Sequence, residues 1–391
     1  MEPRGGTLKS PTTREAGGNA QIIVIDIQPS QSYFRVMKSE TSALIQKLTE
    51  EHSLSKDEYE QLIVNRDGEA QKVLAENAVA VRKKIYGTDV FIRGLIEFTN
   101  ICKNNCFYCG IRAGNSNCDR YRLSEEEILA CTDEGWALGY RTFVLQGGED
   151  PFFTDDILCG LVQKIKARHP DCAITLSIGE RTKESYRRLF EAGADRYLLR
   201  HETATQEHYK RLHPKEMSFA SRMQCLQDLR DAGFAVGAGF MVGSPFQTTA
   251  NLAQDLKFIE TFKPEMCGIG PFIPHKETPF KDYGAGSVEL TCYLLSIIRL
   301  IYPPILLPAT TALGTLSPDG REKGILSGAN VIMPNLSPVK VREKYSLYDG
   351  KVCTGEESAY CKSCINRRVE SIGYQIVTSR GDFAGNKSPL L

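Results

Sequence analysis

The sequence predicts an α/β protein built as a (β/α)8 barrel of the TIM type, with helices before it and a capping extension after it. Three observations predict this. Eight short apolar segments recur between residues 94 and 333. Amphipathic stretches of helical spacing fill most of the gaps, the signal of a right-handed parallel βα series. Residues able to carry chemistry follow directly on those segments, at the strand ends where barrels place their active-site loops. Strand counting alone leaves a doubly wound open sheet as the rival.

Residues 1–40 read as a disordered extension; up to residue 36 they are rich in Gly, Pro, Ser and Thr around one apolar patch, Ile22–Ile27. Met37 opens a more regular segment and is a candidate start. The alternative, an organelle-targeting extension, is weakened by Glu2, Glu15 and Asp26. Residues 41–90 read as helices packing on the barrel, with apolar positions at helical spacing (Leu44, Ile45, Leu48; Leu62, Ile63; Val73, Leu74; Val79, Val81, Ile85). Ser55 before Lys56-Asp57-Glu58 reads as an N-cap with acidic residues in the first turn.

The barrel is expected over residues 91–336. Its strands are Gly94–Phe98, Thr142–Gln146, Ala173–Ile178, Arg196–Leu199, Ala235–Val242, Cys267–Phe272, Ile305–Ala309 and Ala329–Met333. Helices are expected at Ser124–Leu138, Asp155–Arg168, Lys183–Ala192, Phe219–Ala232 and Thr249–Phe262. From Ser337 the chain turns rich in Pro, Tyr and Lys, with a second cysteine group. Residues 337–391 read as a cap on one mouth of the barrel, ending in a flexible tail.

Lys+Arg and Asp+Glu are both 48, so the formal net charge is zero. That lacks the basic footprint of a nucleic-acid binder and favours a small or protein-held substrate. No apolar run is long enough to span a bilayer; the longest, Leu294–Leu307, is interrupted by Arg299, Pro303 and Pro304. The N-terminus shows no secretion leader, and the thirteen cysteines are mostly scattered singly. A reduced, cytoplasmic protein is expected, or one of an organelle matrix if residues 1–36 are a targeting extension.

Cys102, Cys106 and Cys109, spaced C-x3-C-x2-C, lie just past the first expected strand. Three thiolates can hold three irons of a [4Fe–4S] cube and leave the fourth open, as a catalytic metal requires. Zinc would want a fourth ligand nearby. The loop holds no His, and Cys118 lies nine residues beyond Cys109. Gln146-Gly147-Gly148-Glu149 ends the second strand, where glycines let backbone amides approach a ligand, although a plain tight turn has the same composition. Arg196 and Arg200 frame the fourth strand at a spacing that puts both on one face. If that face is the barrel interior, two guanidinium groups call for an anion; neutralisation by Asp195 or Glu202 is the structural alternative. Thr310 and Thr311 end the seventh strand and can donate to the same anion. His201 and His275 carry no assigned role.

In order along the chain stand Leu145-Gln-Gly-Gly-Glu149, Arg196-Tyr-Leu-Leu-Arg200-His-Glu202, Gly239-Phe-Met241-Val-Gly-Ser-Pro, Gly268-Ile-Gly-Pro-Phe-Ile-Pro-His275, Pro308-Ala-Thr310-Thr311-Ala and Gly328-Ala-Asn-Val-Ile-Met-Pro-Asn335. With the cysteine triplet and Tyr108 before its last member, these resemble the radical S-adenosylmethionine (SAM) superfamily and, within it, the [FeFe]-hydrogenase maturases of the HydE family. The resemblance runs from about Thr41 to Gly373. It implies a [4Fe–4S] cluster at the triplet that binds SAM and splits it to a 5′-deoxyadenosyl radical. It further implies that the turn at Gln146–Glu149 receives the SAM amino group, and that Glu202, Arg222 and Met241 contact SAM. Tyr345, Leu347 and Tyr348 in the cap are implied to reach its adenosyl end. By the same resemblance Arg196, Arg200, Thr310 and Thr311 form a carboxylate pocket opposite SAM.

The function implied is assembly of the hydrogenase diiron subcluster. The partners implied are an organometallic iron–cysteine precursor from a partner maturase, a scaffold maturase, and an electron donor of ferredoxin or flavodoxin type. Cys353, Cys361 and Cys364 match an auxiliary cluster of some family members, with zinc or plain thiols as alternatives. The remaining cysteines (Cys118, Cys131, Cys159, Cys172, Cys225, Cys267 and Cys292) read as small buried hydrophobes. A lysine mutase resembling methylornithine synthase is the rival enzyme, and a non-catalytic iron–sulfur carrier the rival class. Biotin synthase is a more distant resemblance.

Overall fold

The computed structural model describes residues 31–386, apart from 356 and 357. Three helices come first: α1 (Gln31–Glu51), α2 (Lys56–Val64) and α3 (Gly68–Tyr86). The expected cap is present, since Ser55 Oγ accepts from Glu58 N at 3.1 Å and Glu58 returns a bond to Ser55 N. Leu48, Leu62, Ile63 and Leu74 are the fully buried stripe of these helices. Val73 faces solvent beside Leu74 and is not part of it. The reading of residues 1–40 as a disordered extension is corrected in part: residues 31–40 lie in α1, and residues 1–30 lie outside the described residues.

The barrel follows as β1 (Asp89–Ile92), β2 (Gly94–Thr99), α4 (Glu125–Ala137), β3 (Thr142–Gly147), α5 (Asp155–Arg168), β4 (Ala173–Ser177), α6 (Lys183–Glu191) and β5 (Arg196–Leu198). After α7 (Gln206–Leu212) and α8 (Phe219–Asp231) come β6 (Ala235–Ala238), β7 (Met241–Val242), α9 (Thr249–Phe262), β8 (Met266–Cys267) and β9 (Gly270–Pro271). The chain closes with α10 (Val288–Ile301), α11 (Thr311–Leu316), α12 (Gly320–Leu326), β10 (Val331–Ile332), α13 (Val339–Arg342), α14 (Ser358–Ser371) and β11 (Gln375–Val377). The single strand expected at Ala235–Val242 is broken at Gly239. Its φ is +156°, and a Cβ there would lie 2.0 Å from the Gly268 carbonyl oxygen, so the two backbones meet too closely for any side chain.

Six strands pair in parallel in the order β2-β3-β4-β5-β6-β8. The seventh expected strand, Ile305–Ala309, is held by bridges from Leu306 to Met266 and from Pro308 to Val331. The ring then closes through Leu95 and Asn335, with Leu95 N donating to Pro334 O at 2.8 Å and Leu336 N to Leu95 O at 2.7 Å. Closure excludes the open sheet, which would leave two unpaired edges.

The end of the chain does more than cap one mouth. Residues around Tyr345–Lys351 cover the carboxyl-terminal mouth. Beyond them, β11 pairs with β1 in a small sheet of order β10-β1-β11, below the amino-terminal ends of the barrel strands. The C-terminal segment thus reaches both ends of the barrel.

Candidate active site

The loop between β2 and α4 carries Cys102, Cys106 and Cys109. It is held against the β3 turn by Gly148 N donating to Thr99 O at 3.1 Å and Lys103 N to Glu149 O at 2.9 Å. A Cβ at Gly148 would stand 2.3 Å from Ile101 O and 2.8 Å from Cys102 Cβ. The Gly-Gly pair is therefore a close-approach device between cysteine loop and turn, beyond a plain reversal of the chain. Burial raises all three thiols, Cys106 to about 12 and Cys109 further still. For Cys102 the backbone N–H groups of Asn104 and Glu149 act in the opposite sense. Such thiols keep their protons until a cationic metal centre replaces them.

A cavity of about 340 Å³ opens beside the loop. Its lining unites Cys102, Cys106, Tyr108, Cys109, Gln146, Gly147, Gly148, Glu149, Arg200, Glu202, Arg222, Met241, Thr310, Thr311, Leu347 and Tyr348. Residues from almost the whole length of the barrel series and from the cap therefore meet at one place. Asn104, Ser177, Leu198, Phe272, Ile273 and Tyr345 also line it. Of these only Tyr345 was singled out, since Leu198, Phe272 and Ile273 stand inside the quoted motifs and Asn104 inside the cysteine loop without an assigned role. The others sit on strand ends or loops whose apolar or small residues look like any core position.

Glu149 Oε1 accepts from Glu180 N at 3.0 Å, and its Oε2 lies 3.3 Å from Lys103 Nζ. Arg222 spends Nε on Glu180 Oε1 and Nη1 on Arg200 O, both at 2.6 Å. A bidentate grip on a ligand carboxylate by Nε and Nη is thereby ruled out while those bonds stand, and Nη2 is the nitrogen that neither bond uses. Glu202 holds φ at +65°, a strained backbone pinned by Glu202 N to Gly239 O at 3.0 Å and Met241 N to Glu202 O at 3.4 Å.

Arg200 Nη2 lies 3.1 Å from Glu202 Oε2, an ionic contact whose angle makes no hydrogen bond. Arg200 Nε and Nη2, Glu202 Oε2 and Thr310 Oγ1 are all buried without a hydrogen-bond partner. Thr310 occupies the N-cap position of α11 yet makes no capping bond with its hydroxyl. Buried polar groups are nearly always satisfied, so this set fits a polar ligand bringing an acceptor to Arg200 and Thr310.

Arg196 does not belong to the site. It points into the barrel, as its spacing from Arg200 predicts, but from the opposite end of the strand. At about 3.3 Å of rise per residue, four residues separate the two by roughly 13 Å. Arg196 bonds Thr142 Oγ1, Arg380 O and, at 2.6 Å, Asp382 Oδ1. The structural alternative holds here, with Asp382 of the tail as the counterion in place of Asp195 or Glu202. Leu198 lies between the two layers and floors the cavity.

The cap is tied down at several points. Gly110 N donates to Leu347 O at 2.9 Å, Asn100 Nδ2 to Lys344 O at 2.7 Å, and Lys351 Nζ meets Glu97 Oε1 at 2.6 Å. Glu97 and Lys351 carry no motif and were not anticipated.

The residues present fit a [4Fe–4S] cluster with an open iron: three cysteines line the cavity, and its described lining holds no fourth thiol and no imidazole. Among the described residues no three His, Cys, Asp or Glu side chains converge on one point as a single metal ion requires. A cube takes one thiolate per iron and asks no such convergence. Cys118 stays outside the cavity, 3.6 Å from Asn100 Nδ2.

A model of the Radical SAM superfamily matches residues 96–259. The [FeFe] hydrogenase maturase subunit HydE of Thermotoga maritima is 43% identical over 314 residues, 80% of this chain and 89% of that protein. This chain belongs to the HydE family of radical SAM enzymes. The family carries a [4Fe–4S] cluster and SAM. A 3-methylornithine synthase of Methanosarcina acetivorans is 28% identical over 334 residues, covering 84% of this chain and 92% of that one. A crystal structure of methylornithine synthase superposes with a TM-score of 0.75 at 26% identity, over 85% of this chain and 97% of that one. The radical SAM barrel seen here is the fold these relatives share.

The tail cysteines are arranged differently. Cys361, 5% exposed, packs in the core with Ile365 and Val369 of α14. Cys353 holds φ at +62° with its sulfur 3.7 Å from Arg321 Nη1 and Nη2. Arg321 also reaches Thr311 Oγ1 at 3.4 Å, which links the tail to the cavity wall. No described helix is long and apolar enough to cross a membrane.

Proposed function

We propose that this radical SAM enzyme acts in assembling the diiron subcluster of [FeFe]-hydrogenase, on a cysteine-derived iron complex held inside the barrel. The observation that carries this is the unsatisfied set at Arg200, Thr310 and Glu202, residues that line the same cavity as the cysteine triplet. Cys102, Cys106 and Cys109 hold the cluster. When bound, the cluster and SAM supply one-electron cleavage of the sulfonium to methionine and a 5′-deoxyadenosyl radical. The backbone at Gly147 and Gly148, with Glu149, receives the SAM amino group. Glu202 and the remaining Nη2 of Arg222 orient SAM, Met241 packs on it, and Tyr108, Leu347 and Tyr348 enclose its adenosyl end.

Arg200 with Thr310 grips a carboxylate opposite SAM, and Thr311 supports that wall through Arg321. The cap excludes water, which protects radical chemistry from side reactions. The precursor comes from a partner maturase and the product passes to a scaffold maturase. A ferredoxin- or flavodoxin-type donor supplies the electron. The tail trio is accessory, whether or not it holds a second cluster. None of the thirteen cysteines is in a disulfide, which suits a reducing cytoplasm.

A methylornithine-type mutase needs a carboxylate for a second substrate ammonium. The acids lining the described cavity are Glu149, already beside Lys103, and Glu202, beside Arg200. Anaerobic reconstitution with iron and sulfide, then dithionite and SAM, tests the enzyme class by release of 5′-deoxyadenosine; a carrier releases none. Restoration of hydrogenase activity in cells lacking their own HydE tests the pathway, and turnover of lysine to methylornithine in its place overturns it.

A further inference from the structure

Tyr108 stands between two of the triplet cysteines, and its side chain lines the cavity. Behind it, outside the cavity, lies His213 at the C-cap of α7, 1% exposed. The His213 Nδ1 atom is 3.0 Å from the Tyr209 carbonyl oxygen, which can only accept, so Nδ1 carries the proton. Nε2 is then a bare acceptor, and the Tyr108 hydroxyl 3.1 Å away donates to it. The imidazole is itself held: the Tyr209 ring stacks on it with centroids 3.9 Å apart, while the Tyr108 ring meets it edge-on at 5.4 Å. A backbone bond from Phe107 N to Leu212 O at 3.0 Å fixes the same junction one residue away on each side. Tyr108 thus has its hydroxyl spent on protein and its ring orientation set from behind.

We infer that His213 is a positioning residue for SAM, acting through the Tyr108 hydroxyl to set the cavity wall against which SAM is seated. This rests on the reading of the cavity as the SAM site. A merely structural histidine in a helix cap would govern folding and leave ligand affinity alone; a positioning residue governs affinity through Tyr108 and no other route.

The test is a double-mutant cycle on the anaerobically reconstituted protein, with SAM affinity read by calorimetry and iron and sulfide content measured in parallel. His213→Leu and Tyr108→Phe each remove the same bond. Each is expected to weaken SAM binding about three- to tenfold, the range of one lost hydrogen bond, at unchanged cluster content. The double variant is expected to bind no more weakly than either single one. His213→Gln, whose amide oxygen can accept from Tyr108, is expected to stay within about twofold of the parent. Unchanged SAM affinity in His213→Leu, or losses that multiply in the double variant, overturns the inference. A parent protein that holds its cluster but binds no SAM sinks instead the reading on which the inference rests.

Discussion

Lys351 of the cap reaches into the barrel mouth and meets Glu97 of β2 at 2.6 Å, with both side chains at least nine-tenths buried. Glu97 Oε2 also accepts from Asn335 Nδ2 at 2.7 Å, and Lys351 donates to Tyr345 O at 3.0 Å. One ion pair therefore ties the strand that launches the cysteine loop, the segment that closes the barrel ring, and the cap that covers the cavity.

Breaking that pair from one side should be costly. Lys351→Met strands a buried carboxylate and is expected to lower stability by about 3–5 kcal/mol, whereas Lys351→Met with Glu97→Gln should recover most of the loss. Denaturant unfolding of the three proteins checks this. Equal stability of parent and Lys351→Met would show that the cap does not depend on the contact.

The two cysteine groups should respond in opposite ways. Cys106→Ala is expected to abolish 5′-deoxyadenosine formation, because the proposed cluster would lose one of its three thiolates. Cys361→Ala removes one sulfur from a packed core and should cost about 1 kcal/mol while leaving SAM cleavage nearly intact. Deoxyadenosine yield under dithionite, measured beside unfolding curves, separates the outcomes. A dead Cys361→Ala protein would make the tail trio essential.

Arg200→Ala and Arg196→Ala should also part company. Loss of charge-assisted bonds from Arg200 is expected to weaken binding of a carboxylate substrate about 10- to 100-fold, with SAM affinity within about threefold. Arg196→Ala removes the buried guanidinium that ties Thr142 to Arg380 and Asp382 of the tail, and should cost stability without touching either affinity. Calorimetry with each ligand and thermal unfolding provide the comparison.

Acid should destabilise the fold through two buried histidines. Burial, with smaller contributions from neighbouring arginines, lowers both His201 and His213 to about 3. Their unfolded value is near 6.5. Between those values the unfolded chain binds the more protons, so stability is full above about pH 6.5 and falls as pH drops toward 3. The slope is up to about 1.4 kcal/mol per pH unit for each histidine. Denaturation midpoints from pH 7.5 to 5 should show it, and His213→Gln should flatten the slope by about one proton.

The cysteine triplet, the Gly-Gly turn and the strand-end motifs were legible because their information is local. The triplet spacing encodes a ligand set, and strand parity encodes which face a side chain takes. Parity correctly put Arg196 and Arg200 on the interior face. It is silent on depth, and the two belong to different layers of the barrel. Arg222 reads as an ordinary helix residue, and the bonds from Glu180 and Arg200 that limit what it can grip lie 42 and 22 residues away in sequence.

By itself, then, the sequence determined the barrel class and the cysteine triplet, both set by spacing within a few residues, while the resemblance of its strand-end motifs named most of the residues that line the cavity. Only the tertiary structure decided that the tail wraps to the far end of the barrel, that Arg196 pairs with Asp382 across 186 residues, and that Lys351 pairs with Glu97 across 254. The physical reason is that a buried charge must find its partner in space, and nothing in the residues around either member of such a pair encodes where the other will be.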